Sequence, residues 1–346
     1  MIQINKSKKI TTEQLDLILD ELKIKDKLYS SKIIIIKPNF AAGTYVETDS
    51  HVVSNISFLR DIINSILEIN KESTIYIAES DSTGYGFAYL KFEHFNLPDC
   101  LQLDEEKAKR VKILDLSRDR LVRINNTRFK YFCTEDKQLW LSGTLMNADF
   151  IISLSNLKTH TVTEYTGACK NLFGCLPAFE KSSYHVEIHK VIHDLVLAIK
   201  PQLNIVDAFY AMEKNGPVQG SAINCGYRVF SEDAVEADIC ASQTAGLKPM
   251  KIKYLKYLVE SIANKNYKDI QYPVIVKLKK PTLFVRVMNM IGLTIQKIGI
   301  VIERYGHRLH SCTNLLEVII ATIRPLLLKF ISIDTLKKIK RKIMKK

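Results

Sequence analysis

The chain has 346 residues, 47% of them hydrophobic, which is enough for a sizeable core and excludes an intrinsically disordered protein. Its formal net charge of +13 invites a nucleic-acid reading, but fifteen of the fifty Lys and Arg, against three of the thirty-seven Asp and Glu, fall from Lys279 onward, so the basic character belongs to the tail. The seven cysteines are scattered with no CxxC pair, so no disulfide framework, zinc ribbon or iron-sulfur cluster is expected. Residues 1–30 carry no secretory signal, so a cytoplasmic location is expected.

In chain order, Thr11-x-x-Gln14 is a capping box that predicts a helix to about residue 23, and Ile33 to Ile36 predicts a buried strand. The loop Lys37-Pro38-Asn39 follows. A helix is expected over 51–69, a strand over 74–78 and a loop over 79–86 that carries Glu79 and Asp81. Residues 111–114 predict another strand, and the alternation over 121–133 predicts a hairpin. Residues 150–154 read as a buried strand, 156–177 as a binding loop, and 167–172 within it as the opening of a short helix. A helix over 184–199 stops before Pro201, a short strand over 203–206 ends at Asp207, and 211–220 is turn-rich. A strand over 226–230 and a helix capped by Asp233 and reaching about residue 245 complete the body. This alternation predicts an α/β fold with a largely parallel sheet flanked by helices over 1–278, and a C-terminal amphipathic helical basic tail over 279–346.

Lys37, Asp81, Lys158 with His160, and Asp207 fall just past the carboxyl ends of predicted parallel strands, ends that lie along one edge of a doubly wound sheet. A composite cleft is expected there. In NLKTHTVTEYTGACKNLFGCLP, residues 156–177, Lys158, His160, Lys170 and Asn171 supply cationic or amide donors. Thr159, Thr161, Thr163 and Thr166 supply hydroxyls, and Gly167 lets backbone approach closely, a mixture suited to a phosphate or carboxylate near a helix N-terminus. Lys37, Asn39, His185 and Glu213 complete the expected ligand set, and His160 with Asp81 or Asp207 is expected to handle protons. The alternative, that these residues cap helices and satisfy loop backbone, stays open. Glu79, Asp81, Asp207 and Glu213 with His160 or His185 also suit a divalent metal. His185, His189 and His193 recur every four residues, a spacing that fits partly exposed helix positions better than a zinc site. Cys169 and Cys175 flank Lys170-Asn171, where a lysine can activate a thiolate, although small buried cysteines are commoner. Gly84-Tyr85-Gly86 lacks the third glycine of a dinucleotide loop, since position 89 is Tyr.

Several segments, in order, resemble the domain of unknown function 362 family: KPNF at 37–40, AESDS at 78–82, LKTHTVTEYTGACKNLFGCLP at 157–177, Lys181 with Tyr184-His185, KPQLNIVDAFYAMEKNGPVQG at 200–220 and SEDAVEADICASQTAGL at 231–247. The resemblance implies a fold more than a reaction, because the family's general activity is not established. Some relatives carry ferredoxin-type iron-sulfur modules, and this chain has no CxxCxxC run.

The tail opens with a mostly apolar stretch over 282–302. At 100° per residue Arg286, Asn289, Gln296, Lys297, Glu303 and Arg304 fall within a stripe of about 120°, which predicts an amphipathic rather than a spanning helix. A second apolar stretch over 315–333 is broken by Pro325, and the chain closes with KKIKRKIMKK, seven of ten residues basic. The expected partner of 282–346 is a membrane surface, at its inner face. Nucleic acid is disfavoured, because the basic run holds no aromatic platforms. The leading expectation is an enzyme on an anionic small molecule or lipid-linked intermediate. The alternatives are a non-catalytic membrane-surface binding or scaffold protein and a redox protein that partners an iron-sulfur protein.

Overall fold

β1 (Ile2–Asn5) leads into α1 (Thr12–Glu21), which starts at the capping box: Gln14 N donates to the Thr11 hydroxyl, and Thr11 N donates to Gln14 Oε1. This structure, a computed structural model, describes residues 1–40, 46–47, 50–82, 86–179, 181–261 and 266–305. α2 (Lys25–Ser30) and β2 (Ile33–Lys37) come next, then α3 (Ile56–Ile69), capped by the Asn55 side chain, and β3 (Thr74–Glu79). α4 (Ala88–His94), α5 (Glu105–Ala108) and β4 (Val111–Asp115) precede a small excursion of β5 (Leu121–Ile124), β6 (Leu139–Ser142) and α6 (Gly143–Met146). The second half holds β7 (Phe150–His160), β8 (Glu164–Thr166), α7 (Ala168–Asn171), α8 (Ile188–Ile199), β9 (Leu203–Asn215) and β10 (Gln219–Ser231). α9 (Ala234–Thr244), capped by Asp233, α10 (Lys253–Ser261) and α11 (Leu283–Tyr305) follow. The chain divides into two units, Met1–Val285 and Arg286–Lys346.

One eight-stranded sheet runs in the order β1-β10-β9-β7-β2-β3-β4, with β8 paired to β7 off that path. The run from β9 to β4 is parallel, and β10 and β1 close one edge antiparallel. Strand alternation sends Ile34 and Ile36 into the core with α1, α3 and α4, and Ile35 into the core with α8, α9 and α10. A strand buried on both faces has to be apolar throughout, which explains the uninterrupted isoleucine run. The architecture is α/β, a largely parallel sheet flanked by helices.

Three local expectations need correction. The expected loop at 156–177 begins as strand: β7 continues to His160 and turns back as β8, placing Lys158 opposite Thr166 and His160 opposite Glu164. The expected loop at 211–220 is the end of a long ribbon in which β9 pairs antiparallel with β10 as far as Asn215 and Gln219. The hairpin over 121–133 does not close locally, since β5 pairs with β6, far downstream. In each case ladder hydrogen bonds to a neighbouring strand, rather than the polar composition of the segment itself, decided the conformation.

No described helix is long and apolar enough to cross a membrane. The stretch 315–333, the basic terminus, Gly84 and Tyr85 lie outside the described residues.

Candidate functional site

A cavity of about 160 Å³ opens where β2, β3 and β7 end, walled by the chain after β2, by α4, by α7 and by the segment from Phe173 to His185. Five lysines line it: Lys37 from β2, Lys91 from α4, Lys158 from β7, Lys170 from α7 and Lys181. Among the described lining residues Glu79 is the one carboxylate. Lys37, Lys91, Lys158 and Lys181 are buried, so their ammonium groups have left bulk water and each must find compensation.

Glu79 compensates the first two. Lys37 Nζ is 3.0 Å from Glu79 Oε2 and 2.6 Å from Pro38 O, and Lys91 Nζ lies 4.0 Å from Glu79 Oε1 and donates to Ser80 O at 2.8 Å. Burial alone would raise the Glu79 carboxyl, but Lys37, Lys91 and Lys181 hold it below its ordinary value. Gly174 gives this pair room, because a Cβ there would sit 2.9 Å from Cε and Nζ of Lys37 and would displace the end of that side chain.

The other lysines are less well matched. Lys158 Nζ donates to Asn39 Oδ1 at 3.0 Å and to Val52 O, and burial, followed by the Lys170 charge, pushes it down to about 7. Lys181 donates to Ser80 Oγ, and burial lowers it to about 7 although Glu79 pulls the other way. Lys170, partly exposed and 5.5 Å from the Phe173 ring centroid, is lowered by desolvation to about 8. The buried Thr166 Oγ1, directly across the ladder from Lys158, has no hydrogen-bond partner among the described residues.

His160 stands two residues beyond Lys158 on the same strand. Its Nδ1 accepts from Val162 N at 3.0 Å and Thr163 N at 3.3 Å, so the ring proton resides on Nε2. Burial, then Lys170, His185 and Lys158, push its pKa well below the usual value. The imidazole is therefore a neutral N–H donor rather than a base.

Two comparisons with known proteins give matches of limited reach. A thylakoid-associated protein of Synechocystis sp. is 35% identical over 121 residues, 33% of this chain and 38% of that protein. The lactate racemase apoprotein of Thermoanaerobacterium thermosaccharolyticum superposes with a TM-score of 0.43 at 13% identity, over 69% of this chain and 56% of that one, a likeness that carries no functional argument. Residues 34–243, well over half of the chain, match the family described as Domain of unknown function (DUF362). The chain belongs to the DUF362 family. Every residue lining the cavity, from Lys37 to Val218, falls within the DUF362 region, and the basic tail falls outside it.

Of the residues singled out in the sequence, Lys37, Asn39, Glu79, Lys158, His160, Thr166, Lys170, Asn171, Lys181 and His185 line the DUF362 cavity. Asn171 is scaffolding: its Nδ2 donates to Lys37 O and Ser153 Oγ, and its Oδ1 accepts from Asn39 Nδ2. The others lie elsewhere. Asp81 accepts from Ala88 N at the start of α4 and pairs with Arg118. Asp207 pairs with Arg228 at 3.1 Å in a separate small cavity and is raised by burial despite that cation. Thr159 Oγ1 donates to Lys214 O, and Glu213 accepts from Lys279 N. Neither aspartate reaches His160 in the lining of the cavity.

The N-terminus of α7 is filled from within the protein. Asp238 accepts from Ala168 N and Cys169 N at 2.6 and 3.1 Å and from the Tyr165 and Tyr254 hydroxyls. Burial raises its carboxyl to about 6. Gly167 serves this network, since a Cβ there would be 2.2 Å from Asp238 Oδ1 and Tyr165 Oη. Burial pushes the Cys175 thiol up to about 11 and that of Cys169 well above its usual value, so neither is an activated thiolate. His193 is engaged by Asp194 and Ser261, His189 stacks on Tyr254, and the His185 ring meets Phe173 edge-on. Among the described residues no group of three or more His, Cys, Asp or Glu forms a set able to hold a metal ion. Lys91 was missed by sequence reasoning, yet it had a signal: in the spacing Ala88, Lys91, Phe92, Phe95 it sits on the buried stripe of α4.

Proposed function

We propose that this DUF362 protein is an enzyme acting on an anionic small molecule held in the carboxyl-edge cavity. The observation that carries the reading is the charge imbalance of the lining, five lysines against Glu79, in a buried space where unmatched cations are costly. An anion bound between Lys158, Lys170 and Lys181 supplies the missing charge, and Thr166 Oγ1 gains a partner. His160, with its proton on Nε2, donates to a substrate oxygen on which charge develops, and Lys158, part neutral near pH 7, takes or gives a proton beside it. The test is calorimetric titration of the full chain with phosphate and with pyruvate. Binding that Lys170→Met weakens supports the reading. Failure of every small anion to bind at pH 6.5 would sink it.

A second reading concerns placement in the cell rather than chemistry. Attachment to the inner face of a membrane through 282–346 is supported by the polar stripe along α11, by the seven basic residues of the last ten and by the thylakoid association in the name of one relative. Co-sedimentation with vesicles containing phosphatidylserine, lost at high salt, is the expected outcome. Equal binding to purely zwitterionic vesicles would contradict the electrostatic part.

A further inference from the structure

The five lysines differ in what their amines touch: among the described residues Lys158, like Lys181, lacks the close carboxylate that Lys37 has, and Lys158 donates to two uncharged acceptors. Among the described residues its hydrogen-bond acceptors are Asn39 Oδ1 at 3.0 Å and Val52 O, two groups that carry no charge. The orientation of the Asn39 amide follows from a relay. Lys37 O can only accept, so Asn171 presents Nδ2 to it; Asn171 Oδ1 then accepts from Asn39 Nδ2, which leaves Asn39 Oδ1 for Lys158. A neutral primary amine has two N–H bonds, which these two acceptors use, and one lone pair, which is left for the remaining direction. Lys158 lines the cavity, and a molecule bound there is the partner this direction would meet. Lys37, beside Glu79, has a carboxylate that holds its proton; among the described residues Lys158 has none.

The surroundings suit a carbonyl. Thr166, paired with Lys158 across the ladder, has a buried hydroxyl without a partner among the described residues, and His160 two residues along presents a neutral ring with its proton on Nε2. Both can donate to a carbonyl oxygen beside the amine, while Lys170 and Lys181 remain for a carboxylate or phosphate on the same molecule. Resting on the anion-site reading above, we propose that Lys158 forms an imine with a small anionic aldehyde or ketone bound in the cavity. The amine nitrogen bonds to the carbonyl carbon and passes one proton to the oxygen. That oxygen then leaves with a solvent proton as water, and the resulting iminium keeps one N–H for Asn39 Oδ1. The lowering of Lys158 to about 7, by burial first and Lys170 second, keeps a reactive fraction of the amine unprotonated at neutral pH.

Glyoxylate, an anionic aldehyde, is the probe. The full chain is incubated with it at pH 7.5, reduced with borohydride and examined by intact mass and peptide mapping, with glyoxylate binding measured separately by calorimetry. Expected is one reduced adduct, on Lys158, formed roughly tenfold or more faster than at any other lysine and absent from Lys158→Arg. Mapping the unmodified sequence makes the result independent of how any variant folds. Binding without an adduct, or an adduct mainly on Lys170, Lys181 or surface lysines, overturns the imine and leaves the anion site standing. Neither binding nor adduct overturns both.

Discussion

The two sides of the cavity put the same residue type in opposite situations. On the Glu79 side, Lys37 and Lys91 are buried beside a carboxylate that stays ionised because of them. On the β7 side, Lys158 is as deeply buried but among the described residues meets only uncharged oxygens, and its pKa falls to about 7. The difference teaches that lysine count alone does not define a site. A paired buried ammonium supports the fold, whereas an unpaired one makes the fold pay and is useful only to something that binds or reacts.

The largest expected effect falls on the paired side. Glu79→Gln leaves two buried ammonium groups without their carboxylate and should cost about 3–5 kcal/mol of stability, read as the shift in the denaturant midpoint. Lys158→Met should do the reverse, holding or raising the melting temperature while weakening phosphate binding by about tenfold, or about 1.4 kcal/mol. If both variants melt equally early, the contrast between the sides is wrong.

A pH series sharpens it further. Lys158 and Lys181 are lowered to about 7 and Lys170 to about 8, so between those values and 10.5 the unfolded chain binds more protons than the folded one. The burial penalty is therefore full below pH 7 and is relieved as pH rises, and stability without ligand should increase across that window. Phosphate affinity should run the other way, falling from pH 6 to 9 as the lysines lose their charge, and binding at pH 8 should take up protons, visible as a buffer-dependent calorimetric heat. A flat affinity profile would count against all three lysines as anion ligands. Smallest of all, deletion from Arg286 onward should leave phosphate affinity and the effects of both substitutions unchanged while abolishing vesicle binding.

Much of the fold was legible. The capping box at Thr11, the Asp233 cap, the isoleucine run of β2 and the amphipathic spacing of α11 are short-range signals, and each marks its element within a few residues. The ends of β7 and β9 were not legible, because polar residues such as Lys158, Thr159 and Glu213 read as loop until β8 and β10 pair with them. The cationic part of the cavity could be read from the motif around Lys158, His160 and Lys170. The assignment of Asp81 and Asp207 as partners of His160 rested on a shared sheet edge, and the structure turns them instead to the start of α4 and to Arg228.

By itself the sequence determined the order of helices and strands, the largely parallel sheet, the basic tail and the family, since periodicity, caps and motifs are written within a few residues of one another. Only the tertiary structure decided that Lys91 joins the site from the buried stripe of α4, that Asp238 rather than a ligand occupies the start of α7, that His160 is a donor, and that Glu79 neutralises one side and not the other. Charge state and hydrogen-bond polarity depend on through-space neighbours and on the loss of water, and neither is encoded at any one position of the chain.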